Sequence, residues 1–393
     1  MNPIKNPFSP GAGSPPPELT GRTDTMEAAR ILMGRAKLHK PEKSLLLTGL
    51  RGVGKTVLLN KMETMAAENG FKTIMIEAQE GRSLAAALVP ELRNVLYQLN
   101  LMKNAGDKVK RALMILRNFI GSVKLSYREF GIDLEPLPGK ADTGDMTMDL
   151  PELLLAVAEA ADEKETEVVL FIDELQILAP LEFTSLILAM HKLQQRQAPL
   201  VLIGAGLPTI PRLAGEAKSY AERLFSYPII GQLNRNDAYD ALSLPVERAG
   251  IRFDEKALAA IYEQSQGYPY FLQEWGYQVR NCLPEESVCI CKQDVDNVAN
   301  KVIQRLDENF FRVRYDRLTD GERRFMRAMA ELEPRECRTA ELADLLGAKA
   351  TTITPTRSNL IKKGMVYSPR HGELAFSVPL FGDFMRRIIP RFK

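Results

Sequence analysis

Cysteine, tryptophan and histidine are scarce in this 393-residue chain, and long apolar runs are missing. Four cysteines, Cys282, Cys289, Cys291 and Cys337, are too few to staple a chain of this size, which excludes a disulfide scaffold. They lack Cys-x2-Cys spacing and a nearby histidine, so they read as buried thiols rather than zinc ligands. The three histidines, His39, His191 and His371, are scattered and give no basis for a histidine hydrolase or a metal centre. The single tryptophan, Trp275, falls with Tyr268, Tyr270 and Phe271 at a helix start and reads as core rather than as a base-stacking group. No run approaches the ~18–20 apolar residues that span a bilayer. The first twenty residues hold no secretory apolar stretch, so the chain reads as cytoplasmic with no membrane partner. Net charge is small too, at +2, although Leu318 to Lys393 carries 14 basic against 9 acidic residues. That local excess suits nucleic acid or merely a solvated helical surface.

What is present is order along the chain. Residues 1–20 are rich in Pro, Gly and Ser, with Pro15, Pro16 and Pro17 consecutive. Proline fixes φ and lacks the donor, so this segment is neither helix nor central strand. It is either a disordered tail or an extended arm lying on a folded domain. Short apolar strands are expected at 44–50, 71–79, 167–175 and 198–207, with a fifth at 227–233. Helical patterns fall between them, including 83–101 and 105–128, and 131–151 reads as loop. Apolar strands alternating with helices mean an α/β fold with a parallel sheet covered on both faces. From Asn234 to about Arg314 the pattern is purely helical. Tyr315 with Arg312, Arg314 and Arg317 reads as a solvated helix end. Beyond Leu318, helices near 319–331, 339–346 and 350–363 precede a hairpin around Arg370-His371-Gly372, which is winged-helix order.

Gly49-Leu50-Arg51-Gly52-Val53-Gly54-Lys55-Thr56 fits G-x-x-x-x-G-K-[ST]. It follows an apolar strand and opens a helix, where backbone amides and the helix N-terminus favour phosphate. Lys55 is expected on the β- and γ-phosphates and the Thr56 hydroxyl on Mg²⁺, with Val57 next in the first turn. A second apolar strand ends in Asp173-Glu174, which places Asp173 toward the metal and Glu174 to polarise the attacking water. The acidic residue after the aspartate argues for ATP hydrolysis of the ASCE P-loop NTPase type, which is the expectation. No Asn-Lys-x-Asp motif that would read guanine is present.

Leu19-Thr20-Gly21-Arg22-Thr23-Asp24 resembles the adenine motif upstream of the P-loop in STAND and origin-recognition-type AAA+ ATPases. Gly267-Tyr268-Pro269 resembles the Gly-x-Pro that opens a lid helix in STAND proteins. With the P-loop, the Asp-Glu strand, the helical lid and the winged helix, the resemblance covers roughly residues 19–393. It implies that Arg22 and Pro269 clamp the base end of the nucleotide. Two departures stand out. After the fourth strand only Thr209 is available as the polar sensor 1 residue, and the lid stretch Gly267–Gln273 carries no sensor 2 arginine. Slow hydrolysis, suited to a switch, is the expectation. Arg223 lies where related oligomeric ATPases supply an arginine finger, with Arg212 the other candidate and an ion pair to Glu222 or Glu216 the plainer alternative.

The expected organisation is a Pro-rich arm (1–20), an ATPase core (21–233), a helical lid (234–317) and a winged helix (318–393). The expected function is an ATP-dependent switch, possible as a homo-oligomer, whose nucleotide state positions the winged helix on double-stranded DNA or, alternatively, on a protein. The DNA candidates are Arg357, Lys362 and Lys363 on a helix that Pro355 is expected to interrupt, and Arg370 at the hairpin tip.

Overall fold

The computed structural model describes residues 3–11, 13–102, 106–123, 137–284, 287–333, 337–370 and 372–392. The chain divides into two compact units. One comprises Thr23–Thr48 and Lys55–Ile229, and the other Met1–Arg22, Gly49–Gly54 and Ile230–Lys393.

The first unit is an α/β layer structure. Its elements are α1 (Thr23–Lys37), β1 (Ser44–Thr48), α2 (Lys55–Glu68), β2 (Lys72–Glu77), α3 (Leu84–Leu101), α4 (Asp107–Ser122), α5 (Met146–Asp162), β3 (Val168–Asp173), α6 (Pro180–Gln195), β4 (Leu200–Gly206), α7 (Ile210–Ala217), α8 (Ala221–Leu224) and β5 (Phe225–Ser226). The strands form a parallel sheet in the order β2-β3-β4-β1-β5. Every residue of β1 and β3 is buried. Strands covered on both faces cannot alternate, which is why the sequence shows continuous apolar runs. The fifth strand is a correction. It is Phe225–Ser226, paired with Ser44 and Leu45, and only Ile229 of the expected 227–233 stretch bridges back to Thr48. Pro228 cannot donate to a ladder, and its carbonyl instead accepts from Thr48 N–H at 2.9 Å. Parts of the expected helix 105–128 and loop 131–151 lie outside the described residues, and α5 begins at Met146, inside that expected loop.

The second unit continues with α9 (Arg235–Glu247), β6 (Arg252–Phe253), α10 (Glu255–Ser265), α11 (Pro269–Cys282), β7 (Cys289–Ile290), α12 (Lys292–Leu306), a π-helical segment (Asp307–Phe311) and α13 (Arg312–Tyr315). The paired strands β6 and β7 are absent from the purely helical expectation. Two residues are too short to show a period of two. The chain then forms α14 (Asp320–Leu332), β8 (Cys337–Arg338), α15 (Thr339–Leu345), α16 (Ala350–Lys362), β9 (Val366–Tyr367), β10 (Glu373–Phe376) and α17 (Phe381–Ile388). The last three strands make an antiparallel sheet ordered β8-β10-β9. Pro355 lies inside a continuous α16 rather than breaking it. It removes one N–H from the exposed side of the helix, where the carbonyl left without that donor belongs to exposed Thr351. Among the described residues no helix is long and apolar enough to cross a membrane.

Helices from 235 onward and the C-terminal segment share one core. Aromatic rings run through it: Tyr270 stacks on Phe310 at 4.6 Å, Phe310 meets Phe311 edge-on at 5.1 Å, and Phe311 stacks on Phe384 at 5.1 Å. Tyr315 packs edge-on against Phe384, and Arg314 lies over the Phe310 ring, so the expected solvated helix end is partly packed. Trp275 and Phe271 are fully buried, as core residues. The Pro-rich start lies along α11: Phe8 is buried, and the Asn6 side-chain amide donates to Tyr277 O at 2.9 Å and Asn281 Oδ1 at 2.8 Å. A Cβ at Gly276 would come within 2.7 Å of the Phe8 ring, so the helix opens a seat for it there.

The start of α14 is tied to the end of α16. Thr319 and Glu322 form a capping box, and Lys363 Nζ donates to Glu322 Oε2 at 2.7 Å and Arg317 O at 3.0 Å. Burial alone would push the Glu322 carboxyl up, but Lys363 and the Thr319 N–H hold it below its usual range. Glu322→Gln is expected to cost about 2 kcal/mol at neutral pH. A depressed carboxyl contributes stability above its unfolded value and loses it as pH falls through the folded one. The difference in Tm between parent and variant should therefore shrink as the pH falls through the carboxylate range, and a constant difference would contradict the assignment.

Candidate functional site

In the α/β unit, an acidic cluster lies between the start of α2 and the end of β3. Lys55 is the first residue of α2 and is buried. One residue on, Thr56 Oγ1 donates to Asp173 Oδ2 at 2.5 Å, at the C-terminal end of β3. Val57 is half-buried in the same helical turn. Burial pushes the Asp173 carboxyl up, only partly opposed by the Thr56 hydroxyl, the Glu174 N–H and Lys55. A buried carboxylate whose charge is incompletely compensated, beside a hydroxyl, is a hard-oxygen set suited to Mg²⁺, which keeps waters and phosphate oxygens as its other ligands. Thr56 and Asp173 are the residues that would hold it.

Glu174 is left-handed, at φ +54°. A non-glycine residue there costs roughly 1–2 kcal/mol, and such strain gathers at functional positions. Two bonds fix it. Its N–H donates to Asp173 Oδ1 at 2.8 Å, and its carboxylate accepts from Gln176 Nε2. Gln176 Oε1 in turn accepts from Leu207 N–H at 2.9 Å, just past β4. Sequence patterning does not single out Gln176; its only signal is a place two residues after Glu174, which the 3-10 turn Leu175–Ile177 folds back. Thr209 is buried at the start of α7, with no capping bond from its side chain. Arg223 is exposed on α8 and, among the described residues, makes no ion pair, whereas Arg212 pairs with Glu216 at 2.8 Å.

The second unit holds the glycine loop. Gly52 and Gly54 have φ +79° and +91°, a conformation suited to glycine. A Cβ at Gly49 would stand 2.1 Å from Ile230 O. Val53 is buried, and its carbonyl accepts from Arg22 Nη2 at 3.3 Å, as does Gly231 O at 2.5 Å. Burial draws the Arg22 guanidinium down from its ordinary value, opposed by Asp237. Arg22 therefore braces the loop backbone. Gly21 precedes it because a Cβ there would strike the Asp237 carboxylate at 2.5 Å.

Pro269 opens α11, half-buried. The next residue reaches the loop: Tyr270 N–H, an orphan donor of the first helical turn, donates to Gly52 O at 3.3 Å. On the other side of the loop, Arg51 N–H donates to Ser377 O at 3.0 Å. Ser377 is fully buried, its hydroxyl donates to Gly364 O, and a Cβ at Gly364 would lie 3.0 Å from the Arg51 guanidinium. The phosphate loop is thus hydrogen-bonded to the segment following β10.

The basic residues expected on DNA divide. Lys363 is taken by Glu322 and Arg317 O, and Arg357 Nη2 donates to Ser368 Oγ at 3.3 Å across to the hairpin. These two are half-exposed and also tie neighbouring elements together. Lys362 and Arg370 are exposed. His371 lies outside the described residues.

No curated protein matches the sequence. Residues 308–385 match a domain of unknown function, DUF8462, and residues 18–203 match the AAA ATPase domain family. Among solved structures the chain is similar to the Walker-type ATPase PABY2304 of Pyrococcus abyssi, with TM-score 0.54 and 16% identity over 94% of this chain and 96% of that one. It is also similar to the Aeropyrum pernix Orc1 protein in complex with DNA, with TM-score 0.46 and 14% identity over 94% and 93%. A third is the RuvB Holliday junction branch migration motor of Thermotoga maritima, with TM-score 0.42 and 16% identity over 91% and 92%. The first of these carries the fold, and the family match carries the chemistry of the P-loop and the Asp-Glu strand. The match of residues 18–203 to the AAA ATPase domain family, with the P-loop and the Asp-Glu strand inside it, supports ATP hydrolysis as the activity of this chain.

Proposed function

We propose that the protein is an origin-recognition-like switch ATPase in which ATP on the P-loop controls a C-terminal winged helix, residues 318–393. The observation that carries this reading is the bond from Arg51 N–H to Ser377 O. A loop amide already given to the C-terminal segment is not free to face a phosphate. Phosphate and the Ser377 carbonyl therefore compete for the loop, and ATP favours the state in which the C-terminal segment has let go. A ligand shifts an equilibrium only by its differential affinity for the two states, and this competition supplies one.

In this reading Lys55 draws the β- and γ-phosphates, Arg22 holds the loop shape, and Pro269 sets the α11 terminus against Gly52. Glu174 takes the proton of the attacking water. Mg²⁺ held through Thr56 and Asp173 would spread the charge of the phosphate oxygens. Exposed Arg223 serves a neighbouring copy as arginine finger, which makes the active form a homo-oligomer.

Duplex DNA is the partner we favour. The exposed side of α16 offers Thr352, Ser358, Asn359 and Lys362, with Arg370 on the hairpin. Hydroxyls, an amide and cations together suit phosphate oxygens and base edges. Only two of the four expected cations remain exposed, so binding should be moderate and sequence-independent. Full-length protein with ATP should retain duplex DNA at low salt. Replacing Lys362 and Arg370 by alanine should reduce the slope of log affinity against log salt by about 0.9 for each phosphate no longer neutralised. Salt-insensitive or absent retention would leave the C-terminal segment to a protein partner, which the internal pairing of Arg357 and Lys363 favours.

A further inference from the structure

We propose that Gln176 is a positioning residue for ATP hydrolysis, tying the Glu174 carboxylate to the end of β4. The inference rests on Glu174 being the base that takes the water proton. In that step the water oxygen bonds to the γ-phosphorus, the bond to the bridging oxygen breaks onto ADP, and the proton passes to Glu174. The base must therefore hold one direction.

Glu174 has little intrinsic reason to do so. Its left-handed backbone projects the side chain from a strained turn, and a glutamate carries several rotatable side-chain bonds. Its amide is fixed by Asp173 Oδ1, and its carboxylate accepts a bond from Gln176 Nε2. Gln176 is itself oriented, because its Oε1 accepts from Leu207 N–H. A side-chain amide can donate at one end and accept at the other, and here both ends are used. The fold makes room for this. A Cβ at Gly206 would stand 2.7 Å from Gln176 Oε1, so glycine at the end of β4 lets the amide in. The end of β4 is where the sequence offers only Thr209 as a polar sensor. The geometry puts a main-chain N–H there instead, relayed through Gln176.

Two substitutions separate orientation from mere tethering. Gln176→Ala loses both bonds. Gln176→Glu keeps an acceptor for Leu207 N–H but loses the donor and sets a carboxylate against Glu174. Steady-state ATPase and ATP affinity are measured for both in the full chain. The expected result is roughly a 10- to 100-fold fall in kcat for each, with KM and ATP affinity within about twofold of the parent, a loss of the size that misplacing a catalytic group brings. In single turnover, Gln176→Ala added to Glu174→Gln should cost nothing further, because both act through one carboxylate. Parent kcat in Gln176→Glu, an additive loss in the double variant, or a matching fall in ATP affinity would each overturn the proposal. If Glu174→Gln itself turned over at the parent rate, the assignment of the base would fall, and the role of Gln176 with it. An inactive Glu174→Gln beside a fully active Gln176→Glu would remove Gln176 alone.

Discussion

Lys55→Ala is expected to lower ATP affinity roughly 100-fold or more, while Glu174→Gln leaves affinity within about threefold and reduces turnover roughly 100-fold or more. The two effects differ because the side chains act at different points. The Lys55 ammonium meets phosphate charge already present in the bound state, and charge-assisted hydrogen bonds of this kind are worth about 1.5–3 kcal/mol each. With every ~1.4 kcal/mol a factor of ten, the loss of one or two such bonds in a buried position gives the stated fall. Glutamine at 174 keeps the size and the Gln176 neighbour of the native residue but takes no proton, and general base catalysis contributes roughly 10²–10⁴-fold. Equilibrium binding of a fluorescent ATP analogue, with phosphate release measured beside it, checks both. Tight binding by Lys55→Ala, or parent turnover by Glu174→Gln, would contradict the assignment.

The largest effect on stability should come from Phe311→Ala. Its ring is almost wholly buried and meets Phe271, Phe310, Phe381 and Phe384. Truncating a buried phenylalanine typically costs about 3–5 kcal/mol, since transfer and cavity terms add. The edge-on and stacked ring pairs raise that further. Phe311 ends a π-helical segment, and a ring placed by a widened turn cannot be replaced by an adjacent residue. Urea unfolding followed by Trp275 fluorescence should show the midpoint fall, because Trp275 lies in the same core. A change below about 1 kcal/mol would mean that this core collapses around the gap.

The parallel sheet is legible in the sequence because strands buried on both faces are written as unbroken apolar runs, as in Val168–Ile172. The phosphate loop is legible because glycine, lysine and threonine at fixed spacing answer one chemical need. Gln176 is not, since a lone glutamine after Asp173-Glu174 has no pattern, and its role emerges only when a 3-10 turn brings it beside Leu207. The same holds for Lys363 and Arg357. A basic residue looks alike in sequence whether it faces solvent or a carboxylate 41 positions away, as Lys363 faces Glu322. Arg22 shows a third case. The Gly-Arg pair is identifiable by resemblance, but its bond to the Val53 carbonyl depends on a loop shape that spacing does not specify.

Hydrogen exchange at residues 364–378 tests the competition between phosphate and the Ser377 carbonyl most directly. The protein to use is Glu174→Gln, which holds ATP without consuming it, with Lys55→Ala as the control that does not bind. On saturation with ATP, Arg51 N–H turns from Ser377 O to the nucleotide, and exchange across 364–378 should speed up in Glu174→Gln and stay unchanged in Lys55→Ala. Exchange across 364–378 that is unchanged or slowed by ATP in Glu174→Gln would contradict the account.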